Sequence, residues 1–502
     1  MTDFNHYRIN IIGYDAEYQT PYGVKPLIYA DWTASGRMYR PIEESLINDF
    51  APFVANTHTL TSYTGAVMTS AYSQAQQIIK KHVGATDDHC LIATGSGMTG
   101  AVSKFQRMLG LKLPSKLSNF ASIPKEERPV VFITHMEHHS NQTSWLETIC
   151  DVQIIDPNDE GLPDLNDLEF KLRKFRKRKA KFASVTACSN VTGIQTPYHD
   201  IAKLMHDYGG YCFVDFACSA PYVDINMLGN GEEGSHLDAI FFSPHKFLGG
   251  PGAPGILVFD KTLYNSEIPD EPGGGTVTWT DPWGVHLFYE NIELREDSGT
   301  PAFLQTIKTS LAVKLKESMD TKAIAEREHT INRRLFSELS KIDGLHILAD
   351  HHQDRLSIFS FVIEGMHYNL ATKILSDKYG IQVRGGCSCA GTYGHYLLNL
   401  TPRLSRSIYD EVIGHNDIYQ RPGWVRLSLH PTITDSEIDY IVDSLSELVA
   451  EAPAFSKDYD YCKNMHTFYN KNAKNFEQKV AEDLFDSSIK SISGSSVLEV
   501  LG

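Results

Sequence analysis

Residues 238–252 read DAIFFSPHKFLGGPG: an apolar run, a turn opened by Ser243 and Pro244, then Lys246 ahead of a Gly-Gly-Pro-Gly breaker. A short apolar run without polar alternation is the pattern of a strand buried on both faces. The pattern recurs in LIAT (91–94), PVVFIT (129–134), FASVTA (182–187), YCFVDF (211–216) and GILVFD (255–260). Helical stretches separate these runs. One is HDIAKLMHDYG (199–209), entered after Pro197 and stopped by Gly209 and Gly210. Strand–helix alternation predicts an α/β fold with a largely parallel sheet. Such sheets take ligands beyond the carboxyl ends of their strands, so the residues just after each run are the candidates for chemistry.

Taken in order, those ends carry polar and small residues. LIAT leads into Gly95-Ser96-Gly97-Met98-Thr99-Gly100 and a helical stripe, a candidate phosphate cradle, because a helix start presents free N–H groups to an anion. A Gly-rich stretch is also, more blandly, a turn. PVVFIT is followed by His135-Met136-Glu137-His138-His139-Ser140-Asn141, where an imidazole could stack on a flat ring, a His pair could bind metal, or the loop could be merely polar. FASVTA is followed by Cys188-Ser189-Asn190, and YCFV ends on Asp215, a carboxylate able to pair with a protonated ring nitrogen. Lys246, among glycines and aromatics, is placed for the desolvation that lets an amine form an imine.

The series resembles the class V aminotransferase superfamily, pyridoxal phosphate (PLP) enzymes of fold type I, and within it the cysteine desulfurase and selenocysteine lyase branch. The resemblance spans residues 25–450 and rests on MEHHSN, SNVTGIQTP, VD-x-A, S-x-HK-F-x-GG-P-G-x-G and SGTP. It implies a large domain (25–305) with a mostly parallel seven-stranded sheet. A smaller α+β domain would be formed by 1–24 and 306–450, with 451–502 as a C-terminal extension. It implies that Lys246 holds the cofactor, His138 stacks on it, Asp215 pairs with its ring nitrogen and Asn190 lies near its phenolic oxygen. Met98, Thr99, Ser243 and His245 would hold its phosphate. Thr300 would reach the phosphate of a neighbouring subunit, hence a homodimer with shared sites. His58, in Asn56-x-His58, and the Gly273–Gly275 run resemble segments lining the site. Cys218 stands where the family usually has a glutamine contacting the phenolic oxygen, and a thiol is the weaker donor. The Asp215–Lys246 spacing is slightly long, with GNGEEGSH (229–236) as the expected surface insertion.

At the substrate end, Val383-Arg384-Gly385-Gly386-Cys387-Ser388-Cys389-Ala390 resembles the desulfurase segment bearing the persulfide-forming cysteine, with Cys389 at the nucleophile position. The required chemistry is attack of a thiolate on the sulfur of bound cysteine. Arg426 matches the arginine that clamps a substrate carboxylate, with Arg384 nearby. The implied activity is removal of sulfur or selenium from L-cysteine or selenocysteine to give alanine, with a sulfur-acceptor protein as a further partner. Other class V chemistries, aminotransferase or C–S lyase, remain open, as does a catalytically weak sulfur-delivery scaffold. The stretch 391–423 reads as an insertion, a lid or a partner surface.

Bulk properties set outer limits. The chain has 502 residues, 42% hydrophobic and 22% charged, the size of two domains. A net charge of −16 argues against general nucleic-acid or anionic-membrane binding, since a phosphate surface would repel it. The basic run 171–181 reads as a solvated helix face. MTDFNHYRIN lacks an apolar signal region, and no stretch approaches the roughly 20 apolar residues of a membrane helix. Eight scattered cysteines suit a reducing, cytoplasmic setting. Cys387-Ser388-Cys389 lacks a second pair for zinc, so no metal is expected.

Overall fold

The apolar runs pair into one sheet. The computed structural model describes residues 3–118, 122–415, 418–473 and 476–493. Its strands β1 (His89–Thr94), β2 (Val130–Thr134), β3 (Asp151–Ile155), β4 (Lys181–Thr186), β5 (Tyr211–Asp215), β6 (Ala239–Phe242) and β7 (Gly255–Asp260) form a seven-stranded sheet. Their order is β1-β7-β6-β5-β4-β2-β3. Only β7 runs against its neighbours; the pairings from β6 through β3 are parallel.

Successive residues serve opposite faces, which explains why the strands show no alternation. Phe132, Val214, Ile240 and Val258 enter one core, while Val131, Phe213, Phe241 and Leu257 enter the other. The edge strand β3 was not among the runs read from sequence. It is only half buried along most of its length and opens on Asp151, so its apolar signal is diluted.

A second sheet follows two long helices, Phe303–Met319 and Thr321–Leu339. Strands β8 (Leu345–Ile347), β9 (Ile358–Ile363), β10 (Arg384–Gly386) and β11 (Trp424–Ser428) are antiparallel in the order β8-β9-β11-β10. The helix Asp435–Ala450 packs on this sheet, and Thr434 and Glu437 form a reciprocal capping box at its start. The N-terminal segment ties the sheets together. Ile28–Tyr29 pairs parallel with Ile381–Gln382, and Asp31 bridges to Ser428. Residues 3–24 divide: Ile11 enters the large core, whereas Tyr22 packs on the small one.

The C-terminal extension is folded over its described part. The hairpin Tyr459–Cys462/Thr467–Asn470 adds Tyr459 and Phe468 to the small core. Residues 494–502 lie outside the described residues. The stretch after Cys389 contains helices Gly391–Leu397 and Pro402–His415, with 416 and 417 outside the described residues. Among the described residues, no helix is long and apolar enough to cross a membrane.

Candidate active site

The carboxyl ends of β1, β2, β4, β5 and β6 point to one edge of the large sheet, and a cavity of about 200 Å³ lies there. At one end the helix Gly97–Met108 begins, and Ser96, Met98, Thr99, Ser243 and His245 line the wall. The Met98 N–H donates to Ser243 Oγ at 2.8 Å, and Thr99 and Ser140 hydroxyls meet at 2.7 Å. A Cβ on Gly97 would lie 2.8 Å from Ser243 Oγ, so a glycine, at φ +60°, keeps this cradle open. A helix start, hydroxyls and an imidazole gathered together suit an anion.

Asp215, which ends one strand, and Lys246, in the turn after its neighbour, face the same cavity. Burial raises the Asp215 carboxyl to about 6, tempered by the Ala217 N–H at 2.8 Å and by Lys246. Burial lowers the Lys246 amine, partly offset by Cys218 and Asp215. His138 caps the helix His139–Leu146, its Nδ1 accepting from the Ser140 N–H at 3.1 Å. Burial, with Lys246 and other cations around it, holds its imidazole neutral, pushed down to about 3. Asn190 and Cys218 complete this part of the wall. Cys188 and Cys218 both donate to the Ser189 carbonyl, each Sγ at 3.7 Å from it.

The far end of the cavity belongs to the small sheet. Arg384 and Arg426, directly opposed on β10 and β11, line it together with Ser388. Arg426 is 2% exposed at its side chain, donates to the Asn190 carbonyl at 3.1 Å and pairs with Asp31 at 2.7 Å. The cysteine loop is bent through two left-handed residues, Ser388 (φ +50°) and Cys389 (φ +56°). Neither is glycine, and such a conformation costs of order 1 kcal/mol per residue. Hydrogen bonds hold it: Asn190 Nδ2 to the Ser388 carbonyl at 2.7 Å, the His139 N–H to the Cys389 carbonyl at 2.7 Å, and Trp424 Nε1 to Ser388 Oγ at 3.2 Å. The bend turns Ser388 inward and leaves Cys389 exposed at the mouth, outside the cavity wall. Cys387 accepts from Arg421 at 3.0 Å.

Besides Cys389, two expected positions do not join this cavity. His58 is exposed, and its Nε2 would lie 3.5 Å from a Cβ on Gly275. Thr300 donates to Asn56 at 3.3 Å. These residues therefore gather as a separate group with the glycine run. GNGEEGSH lies on the helix Tyr198–Asp207, through Lys203–Glu232 at 3.1 Å and His206 to the Gly234 carbonyl at 2.6 Å. His206, His236 and Asp238 bring ligand atoms within 4.8 Å of one another near the start of β6. The two rings stack in parallel at 4.0 Å, and both His206 nitrogens are engaged by Gly234 and Asp238, an arrangement ill suited to a shared metal.

Comparison with known proteins decides the family: the model for aminotransferase class V matches residues 28–441. The chain belongs to that family. As a class V protein it is a PLP-dependent enzyme by kind. A probable cysteine desulfurase of Halalkalibacterium halodurans is 27% identical over 391 residues, covering 77% of this chain and 89% of that protein. One of Halobacterium salinarum is 25% identical over 382 residues, covering 73% and 83%. Among solved structures, an apo cysteine desulfurase of Thermococcus onnurineus superposes with TM-score 0.70 at 22% identity, over 89% of this chain and 98% of that one. An S-sulfonic acid form of an Escherichia coli cysteine desulfurase gives 0.68 at 19%, over 90% and 99%.

Asp31 and Ser388 escaped the sequence reading of this class V site, and Cys188 was given no role in it. Asp31 sits in YADWTAS, far from the other site residues in sequence, and only the bridge to Ser428 carries it to Arg426. Ser388 was passed over for the cysteines flanking it.

Proposed function

We propose that this class V enzyme is a cysteine desulfurase-like protein that takes sulfur, or selenium, from L-cysteine or selenocysteine and releases alanine. The observation that carries the reading is the turn Cys387–Cys389, braced by Asn190, His139 and Trp424 at the mouth of a cavity whose walls suit PLP. The fit is chemical. The cradle at Met98, Thr99, Ser243 and His245 suits a phosphate, and Lys246 is the amine that would hold the cofactor covalently. Asp215, already near the point of ionising, suits a cationic ring nitrogen, and neutral His138 suits the face of a flat ring. Bound there, PLP supplies an electron sink for bonds at the substrate's α and β carbons.

The chain's residues do the rest. Arg426 binds the substrate carboxylate and fixes its orientation. Lys246, once released from the cofactor, is the base placed to take the proton from the substrate α carbon. The Cys389 thiolate attacks the substrate sulfur. A sulfur–sulfur bond forms as the carbon–sulfur bond breaks, its electron pair goes to the β carbon, and Cys389 is left as a persulfide. Exposure of Cys389 suits onward transfer to a sulfur-acceptor protein. Thr300 and His58, grouped outside this cavity, suit a homodimer in which each subunit completes its neighbour's site. A reducing cytoplasmic setting suits the free thiols.

The same exposure favours a second reading, in which Cys389 is a bystander and the enzyme is an aminotransferase or C–S lyase. The enzyme reading as a whole is tested by spectroscopy. The purified wild type is expected to absorb in the visible through lysine-bound cofactor, and Lys246→Ala to lose that band. A colourless, PLP-free wild type would support the scaffold alternative instead.

A further inference from the structure

Arg384 and Arg426 are direct cross-strand neighbours, and like charges so placed repel. Asp31 resolves the conflict. Its Oδ1 lies 2.7 Å from Arg426 Nη2 and its Oδ2 lies 3.4 Å from Arg384 Nε. The carboxylate is delivered by backbone pairing: the Trp32 N–H donates to the Ser428 carbonyl at 3.3 Å, the Ser428 N–H to the Ala30 carbonyl at 2.8 Å, and the Thr33 N–H to Ser428 Oγ at 3.0 Å. Asp31 itself is not part of the cavity wall, whereas both arginines are. Arg426 Nε is fully buried and has no partner, so the guanidinium is not saturated by its protein contacts.

We propose that Asp31 is a specificity-determining residue, which cancels one of the two arginine charges so that this end of the cavity accepts a single carboxylate and rejects dicarboxylates. Two unopposed guanidiniums on one sheet face would suit an acidic amino acid, one arginine for each carboxylate. With Asp31 bridging them, one unit of positive charge remains for the α-carboxylate, and the substrate side chain must be neutral. This rests on the reading of Arg426 as the carboxylate clamp. It narrows the substrate class to monocarboxylic amino acids and sets aspartate and glutamate aside.

The test uses unreactive probes on the cofactor-loaded protein. Affinities of propionate and succinate are measured by calorimetry for wild type, Asp31→Asn, Arg384→Met and Arg426→Lys. Wild type should bind succinate no better than propionate. Asp31→Asn should raise the succinate-to-propionate preference at least tenfold. Arg384→Met, at a half-exposed site that tolerates change, leaves Asp31 to cancel Arg426 and should weaken propionate at least fivefold. An unchanged preference in Asp31→Asn, or unchanged propionate binding in Arg384→Met, overturns the proposal while Arg426→Lys still weakens propionate; Asp31 is then a structural brace. If Arg426→Lys leaves propionate binding intact, the clamp reading itself falls, and this inference with it.

Discussion

Asp215 ends one strand and Lys246 lies in the turn after its parallel neighbour, and each shifts the other's protonation. Burial disfavours both charges, so Asp215 lies at about 6 and Lys246 below the usual amine range. A cationic ring nitrogen beside Asp215 would favour its charged form and donate a charge-assisted hydrogen bond to it. Asp215→Asn keeps the shape and removes the charge. Turnover should fall about 100-fold, equivalent to roughly 3 kcal/mol, with the protein still folded and still coloured. Steady-state kinetics beside a visible spectrum measure both. These residues were legible in sequence because each follows an apolar run. Asp31 and Ser388 were not, because their place depends on pairing between segments far apart in the chain.

Several elements meet at backbone contacts that leave no room for side chains, and two of these contacts flank the cavity, at Gly97 and next to Lys246. A Cβ on Gly255, which opens β7, would lie 2.0 Å from the Gly97 carbonyl at the start of the cradle helix. Gly255→Ala must push that helix start away from the sheet. Overpacking of this kind typically costs about 1–3 kcal/mol, so the urea midpoint should drop and PLP affinity should weaken, read by cofactor titration of the apoprotein. The second contact, Gly36 against the Phe247 carbonyl at 2.0 Å, fixes the loop after Lys246. Such approaches are invisible in sequence, where a glycine is only a glycine. By contrast, β9, β11 and the helix Asp435–Ala450 rest on apolar runs and a capping box, signals that are local in sequence.

The N-terminal segment is also locked to the small sheet by Trp32, whose ring stacks on His430 at 4.2 Å. Burial pushes His430 down to about 3, so it is neutral when folded and takes up a proton on unfolding below about pH 6.5. Its contribution to stability is complete above that pH and declines as pH falls toward 3, by up to about 1.4 kcal/mol per pH unit. His430→Gln should be less stable at pH 7.5, yet lose stability less steeply on acidification, by about one proton. Urea unfolding across pH 4.5–7.5 reads the slope.

At the scale of the whole molecule, the large sheet supplies the end of the cavity proposed for the cofactor and the small sheet the end proposed for the substrate. The cysteine loop between β10 and the next helix closes the junction. The fold follows from runs buried on two faces. In the proposed desulfurase reaction the decisive group is one exposed thiol, Cys389, that the cavity wall does not include. The most direct measurement is therefore a comparison of wild type and Cys389→Ala incubated with L-cysteine and a reductant, assaying alanine and sulfide together. The desulfurase account predicts equal amounts of both products from wild type, and a loss of at least tenfold in Cys389→Ala with the visible cofactor band unchanged. Turnover of cysteine by Cys389→Ala at the wild-type rate would contradict it.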